Sequence, residues 1–231
     1  MQHGVQFTAV QSVVEWWANT NVRAYPLNFA NKGTKMPATL SRPAPLPPAV
    51  DGRWTYKDYL KLDDEHRYEI INGELCMAPA PGLGHQSVSS SLFFRMFGYA
   101  KRHHQLGKLL HAPVDVILSA REVVQPDLVF IHKDRLDICQ ERGVFGAPDV
   151  IVEIISPTSI TRDRHSKLKI YRKHGVKEYW LVDPANRSVE VLGLNAEGEY
   201  DLRSSAVGRG RVKSEVLEGF SVNIKSIFSG Q

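Results

Sequence analysis

The sequence predicts a mixed α/β domain over residues 51–231, and three features predict it. Helical and strand-like periodicities alternate along the chain, the pattern of α/β or α+β folds rather than of bundles or sandwiches. The runs "KLLHAPVDVILS", "VVQPDLVFI" and "DVIVEIIS" are rich in Val, Ile and Leu and read as buried strands. Asn72-Gly73, between the short apolar runs of "RYEIINGELCM", is a strong hairpin signal.

Each element has its own local reason. Thr55 with Asp58 three residues on marks the start of a short helix. Val88, Leu92, Phe93, Met96 and Tyr99 recur at helical spacing in "GLGHQSVSSSLFFRMFGYAKRHHQL", with Gly107 as its expected end. The three strand candidates follow, the last two joined by the polar link "HKDRLDICQERGVFGAP". "TSITRDRHSKLKIYRKHG" predicts a second helix closing at Gly175, "KEYWLVD" a further strand, and "RSVEVLGLNAEGEYDLRSS" a terminal hairpin turning at Glu197-Gly198. The expected core order is helix, three strands, helix, strand, flanked by an N-terminal and a C-terminal hairpin.

Residues 1–50 differ from the rest. They end in "MPATLSRPAPLPPAVDG", a proline-rich stretch expected to be extended, so the segment is read as a flexible extension with one short amphipathic helix in "QSVVEWWANTNVRAY". Met36 opens the proline-rich stretch and is a candidate start of translation alternative to Met1.

Composition bounds the function. At 42% hydrophobic residues the chain is globular in character, and its net charge of +4 is compatible with a polyanionic partner without demonstrating one. Cys76 and Cys139 are far apart and form no C-x-x-C pattern, which argues against a disulfide framework or a cysteine zinc site. No apolar run approaches the roughly 18 residues of a membrane span, and the N-terminus lacks signal-peptide character. No membrane association is expected, and a reducing cytoplasm is the expected setting.

The chemistry lies in the acids. Glu153 interrupts an apolar strand, where an unanswered carboxylate is expensive to bury. Asp149 is four residues earlier on that strand, about 13 Å away, too far to share one metal ion with it. Asp127 lies on the preceding strand, and neighbouring strands run about 4.8 Å apart, so Asp127 and Glu153 can converge if the register aligns them. Two such acids repel, and a divalent cation resolves both repulsion and desolvation; hard oxygen ligands suit Mg²⁺ or Mn²⁺. The bland alternative is that each acid reaches solvent from a strand edge.

An Asp after Pro on one strand and a Glu on the next resemble the PD-(D/E)xK nuclease superfamily, as does the core order. More closely, "YEIINGEL", "GHQSV", "VVQPDLVFI", "APDVIVEIISPTS", "RDRHSKLKIY" and "GVKEYWLVDP" resemble successive blocks of the bacterial Uma-type family of restriction-endonuclease-like proteins, from about Trp54 to Phe228. The resemblance implies a restriction-endonuclease-like core and a metal-dependent nuclease acting on DNA. It implies Asp127 and Glu153 as metal-binding and catalytic acids, joined by Glu74 after the Asn-Gly turn. The usual lysine two residues after the second acid is replaced by Ile155, and the resemblance implies that Lys167 on the following helix supplies the ammonium, with Lys169 its nearest competitor. His85 matches a family position at the start of the long helix, and Asp115 a commonly acidic one.

The mechanism expected is phosphodiester hydrolysis with Mg²⁺ or Mn²⁺ on Asp127, Glu153 and Glu74 and with Lys167 at the reacting phosphate. Arg162, Arg164, Lys169 and Arg172 are candidate contacts to the DNA backbone, or else an ordinary charged helix face. Cleavage of two strands is served by a homodimer, although no residue specifies one. Two alternatives stay open: a catalytically silent nucleic-acid-binding or regulatory module, and a nuclease acting on RNA.

Overall fold

A computed structural model describes residues 52–229 apart from 64–65, 79, 104–105 and 157–158. The expectations for the first fifty residues, and the choice between Met1 and Met36, lie outside the described residues.

The domain opens as its capping pattern predicts. Thr55 and Asp58 form a reciprocal capping box on helix α1 (Tyr56–Tyr59). Strands β1 (Tyr68–Ile71) and β2 (Glu74–Met77) form the hairpin around Asn72 and Gly73, both at positive φ, as a tight two-residue hairpin turn requires. Helix α2 (Leu83–Arg102) buries Val88, Leu92, Met96 and Ala100, one stripe of its surface. It ends at Arg102 rather than at Gly107. That glycine opens strand β3 (Gly107–His111), where an added Cβ would fall 2.1 Å from the Ile131 carbonyl oxygen. Close backbone approach, and not a helix cap, is the physical requirement there.

The first two strand candidates each divide between two sheets. β3 is followed by β4 (Val116–Ser119), with Pro113 between them, and β5 (Glu122–Val124) by β6 (Leu128–His132), with Pro126 between them. A proline cannot donate to a ladder, so each marks a point where the chain leaves one sheet for the other. The polar link holds a 3₁₀ segment (Lys133–Ile138) and the short strands β7 (Cys139–Gln140) and β8 (Gly143–Phe145). β9 (Val150–Ile154) is followed by a π-helical turn (Arg162–Lys167) that runs into helix α3 (Leu168–Lys173), closed at Gly175 with φ +78°. β10 (Glu178–Asp183), β11 (Ser188–Leu194), β12 (Tyr200–Val207), the pair β13 (Arg211–Lys213) and β14 (Ser221–Asn223), and helix α4 (Lys225–Phe228) complete the described chain.

One six-stranded sheet has the order β2-β1-β5-β4-β8-β7 and the other β12-β11-β10-β9-β6-β3. In the second, β6 runs antiparallel to β9 and β9 parallel to β10. Helix α2, strands β3, β6 and β9, helix α3 and strand β10 realise the expected core order, with the two expected hairpins at its ends. The fold is a restriction-endonuclease-like mixed α/β architecture. Alternate residues of β9 serve two cores. Val150, Val152 and Ile154 pack with α2, while Ile151 and Ile155 pack with α3 and the first sheet.

Candidate active site

Glu153 shares a strand face with Ile151 and Ile155, so its side chain enters the seam between the sheets and is 4% exposed. Ile155, two residues after Glu153, is a core residue of that seam. The ammonium comes from the helix instead. Lys167 Nζ lies 2.9 Å from Glu153 Oε1, 2.8 Å from Glu69 Oε1 and 3.7 Å from Asp163 Oδ1. Tyr171 donates its hydroxyl to Glu153 Oε1 at 2.6 Å. Residues 163, 167 and 171 are spaced by four, so they present one face to the acid.

Asp127 precedes β6, where Leu128 pairs with Val152, so the same register carried one residue further sets Asp127 opposite Glu153. Asp127 Oδ2 accepts the Ile154 N–H at 2.7 Å and lies 3.2 Å from His85 Nε2. Glu69, on β1 of the other sheet, accepts the Gln125 N–H at 2.8 Å, and Arg162 reaches its second oxygen at 3.5 Å. These groups line one cavity of about 640 Å³. Ser89 and His111 line it too, with Ser89 Oγ 2.9 Å from His111 Nε2.

Four carboxylates (Glu69, Asp127, Glu153 and Asp163) face this cavity with three cationic side chains, Lys167, Arg162 and Arg67. Burial raises the Glu153 pKa well above the usual range; Lys167 opposes the shift, while Asp163, Asp127 and Glu69 reinforce it by like-charge repulsion. Burial also raises Asp163, with Lys167 again opposing. Burial by itself lowers the Lys167 pKa, but Glu153, Glu69 and Asp163 outweigh it and the net shift is upward, so the ammonium is held firmly. Tyr171 is pushed far up by burial and by the Glu153 charge, and it acts as a hydrogen-bond donor only.

The structure brings Asp127, Glu153, Lys167 and His85 together. Glu74 is not with them: its pairing with Ile71 puts it at the turn end of the hairpin, exposed, and Glu69 is the hairpin acid that lines the cavity. The basic run is dispersed. Arg162 faces the cavity, but Arg164 pairs with Glu190 at 2.8 Å and Arg172 with Glu199, both on the terminal hairpin, and Lys169 is exposed away from the cavity lining. Helical rotation spreads these positions over several faces, so they form no single stripe. Asp115 lines a neighbouring cavity of about 410 Å³, where it accepts from Gln125 Nε2 at 2.7 Å and Tyr59 Oη at 3.3 Å. Asp149 anchors the strand start through the His132 N–H, Arg135 and Lys177.

Glu69, Asp163, Tyr171, Ser89 and His111 are the residues that sequence reasoning misses. Glu69 carried the same signal as Glu153, an acid inside an apolar strand run. Asp163 and Tyr171 were readable as the helical neighbours of Lys167, one turn to either side.

Asp127 and Glu153 offer adjacent hard oxygen donors. Mg²⁺ is commonly held through one or two carboxylates with water completing its shell, so this donor set fits such an ion. Among the described residues, no three His, Cys, Asp or Glu side chains gather closely enough to form a closed metal cage, and no helix is long and apolar enough to cross a membrane.

Comparison with known proteins places the architecture. A chain from Anabaena variabilis described as "a putative nuclease belonging to DUF820" matches with a TM-score of 0.62 and 21% identity, over 76% of this chain and 97% of that one. That likeness shows the fold. No curated protein matches. The family model Uma2, described as "Putative restriction endonuclease", matches residues 56–225, a span that contains Glu69, His85, Asp127, Glu153 and Lys167. The chain belongs to the Uma2 family of restriction-endonuclease-like proteins.

Proposed function

We propose that this chain is a metal-dependent endonuclease that hydrolyses phosphodiester bonds of DNA in the cavity between its two sheets. The observation that carries this reading is the meeting of Asp127 and Glu153 across β6 and β9 with an ammonium delivered to Glu153 from another element. Mg²⁺ or Mn²⁺ held by Asp127 and Glu153 would polarise the phosphoryl oxygen and lower the pKa of a bound water. The chain's own residues do the rest. Lys167, kept charged by its three carboxylates, presents positive charge to the negative charge that builds on the phosphoryl group, in a buried site where screening is weak. Tyr171 and the Ile154 N–H fix one carboxylate each, so the acids need no reorganisation as reaction proceeds. His85 braces Asp127, and Arg162 offers its guanidinium to phosphate at the cavity wall.

Plasmid and linear duplex DNA incubated with the purified chain and Mg²⁺ or Mn²⁺ test this. Cleavage that disappears with chelator, with Asp127→Ala and with Glu153→Ala supports it. Equal DNA binding with and without metal, and no cleavage, would instead identify a binding module. A substrate panel that includes RNA separates the remaining alternative.

A further inference from the structure

Ser89 and His111 have no part in the roles above, yet they form part of the same cavity wall. Ser89 follows His85 by four residues on α2, so the two share a helix face with Cβ atoms about 6 Å apart. His111 ends β3, and the next residue, Ala112, donates its N–H to the Asp127 carbonyl at 2.9 Å. The pair is thus tied to the Asp127 end of the cavity from two sides.

Its geometry fixes the direction of proton movement. His111 Nδ1 lies 2.7 Å from the Ala112 carbonyl oxygen, which can only accept, so Nδ1 carries a hydrogen. Nε2, 2.9 Å from Ser89 Oγ, is therefore the exchanging position. In the neutral ring it accepts the serine O–H. In the imidazolium it donates to Ser89 Oγ and frees the serine hydrogen to point into the cavity. Phe93 packs edge-on against the ring, centroids 5.5 Å apart, which holds its plane. Lys167 is committed to three carboxylates, His85 to Asp127 and, behind the cavity wall, Tyr171 to Glu153.

We propose that Ser89 and His111 form a proton relay that protonates the leaving oxygen during phosphodiester hydrolysis, a role that rests on the reading of the cavity given above. As the bond from phosphorus to the leaving oxygen breaks, its electron pair stays on that oxygen, which takes the Ser89 hydroxyl proton. Ser89 Oγ takes the Nε2 proton of the imidazolium, leaving a serine hydroxyl and a neutral imidazole. The attacking water forms the new bond to phosphorus and loses its proton to solvent, from which the ring is recharged. Ser89 touches the substrate, and His111 acts through it as a positioning and proton-supplying residue.

The test compares leaving groups. Wild type, Ser89→Ala and His111→Gln are assayed with Mn²⁺ on a duplex and on the same duplex with sulfur replacing the leaving bridging oxygen, which the wild-type product ends identify. A thiolate departs without a proton. The expected result is a loss of about 10²-fold or more for both variants on the oxygen ester and less than about tenfold on the sulfur ester. Equal losses on both substrates, or no loss on either, overturn the relay and leave hydrolysis standing. A wild type that cleaves neither overturns hydrolysis in this cavity and the relay with it. Ser89→Ala adds no volume and removes a single hydroxyl, so it keeps the fold. Independently of activity, imidazole ¹⁵N shifts of the wild type in alkaline solution, where the ring is neutral, should show His111 as the Nδ1–H tautomer; an Nε2–H tautomer overturns the proposal.

Discussion

Lys167 follows Glu153 by fourteen residues, yet its ammonium sits 2.9 Å from the Glu153 carboxylate and 2.8 Å from that of Glu69, a residue of the other sheet. One side chain thus bridges the two halves of the domain. Breaking one side of a buried ion pair costs about 3–5 kcal/mol, because the remaining charge is stranded. Lys167→Met should lower stability by roughly that amount in urea unfolding. Adding Glu153→Gln should recover part of the loss, since Glu69 and Asp163 stay stranded, while leaving the protein inactive. A double variant no more stable than the single one would refute the charge-stranding account.

Glu69 and Glu74 share a hairpin and should behave oppositely. Glu69→Gln removes a carboxylate partner of Lys167 and leaves the Gln125 N–H a weaker, uncharged acceptor, so cleavage should fall and stability should drop by about 1–3 kcal/mol. Glu74 is exposed, and Glu74→Gln should change stability by no more than about 0.5 kcal/mol and leave cleavage intact. Parallel thermal melts and plasmid assays check both.

Arg162 and Arg164 make the same comparison for DNA. Arg162 lines the cavity, so Arg162→Ala should weaken binding across all sequences and reduce the salt slope by about 1. Arg164 is already spent on Glu190, and Arg164→Ala should leave the slope unchanged. Affinity titrations over a range of salt concentrations measure this.

Asp149 predicts a pH dependence of stability. Burial raises its pKa, but the His132 N–H, Lys177 and Arg135 more than offset this and hold it below the ordinary value. The carboxylate's contribution is therefore fully present above its unfolded pKa near 3.9 and lost as pH falls through the lower folded value. Asp149→Asn should destabilise the protein at pH 7 and approach wild type in strong acid. Melting curves at both pH values decide it; an equal deficit at both would point to packing instead.

Gly107 and Gly82 test backbone approach. A methyl group at Gly107 meets the Ile131 carbonyl, so Gly107→Ala should cost about 1–3 kcal/mol, whereas Gly82 has open space and Gly82→Ala should be near neutral. Denaturant midpoints distinguish them.

The hairpins, the long helix, the core order and the Asp127–Glu153 pair were legible because each rests on local pattern: an Asn-Gly turn, a helical stripe, an alternation of faces. Sheet membership was not legible. Nothing local states that "VVQPDLVFI" changes sheets at Pro126, and only tertiary pairing shows it. Nor does an acid in an apolar run identify a site by itself. Glu178 is as buried as Glu153, but it accepts from Trp180 Nε1, Ser214 Oγ and the Glu215 N–H and pins the β13–β14 segment to β10. The choice of Glu69 over Glu74 depended on where the hairpin meets the second sheet, and the fate of the basic helix depended on the acids of the terminal hairpin. Both are facts of packing.

The tripeptide Gln125-Pro126-Asp127 joins the two sheets, its first residue bonded through its N–H to Glu69 and its last through its carboxylate to the Ile154 N–H. The cavity therefore belongs to neither sheet alone. A chain with the second sheet formed and the first undocked brings Asp127 and Glu153 together but lacks Glu69 beside Lys167. The acid cluster around Lys167 is therefore complete only once the two sheets have docked.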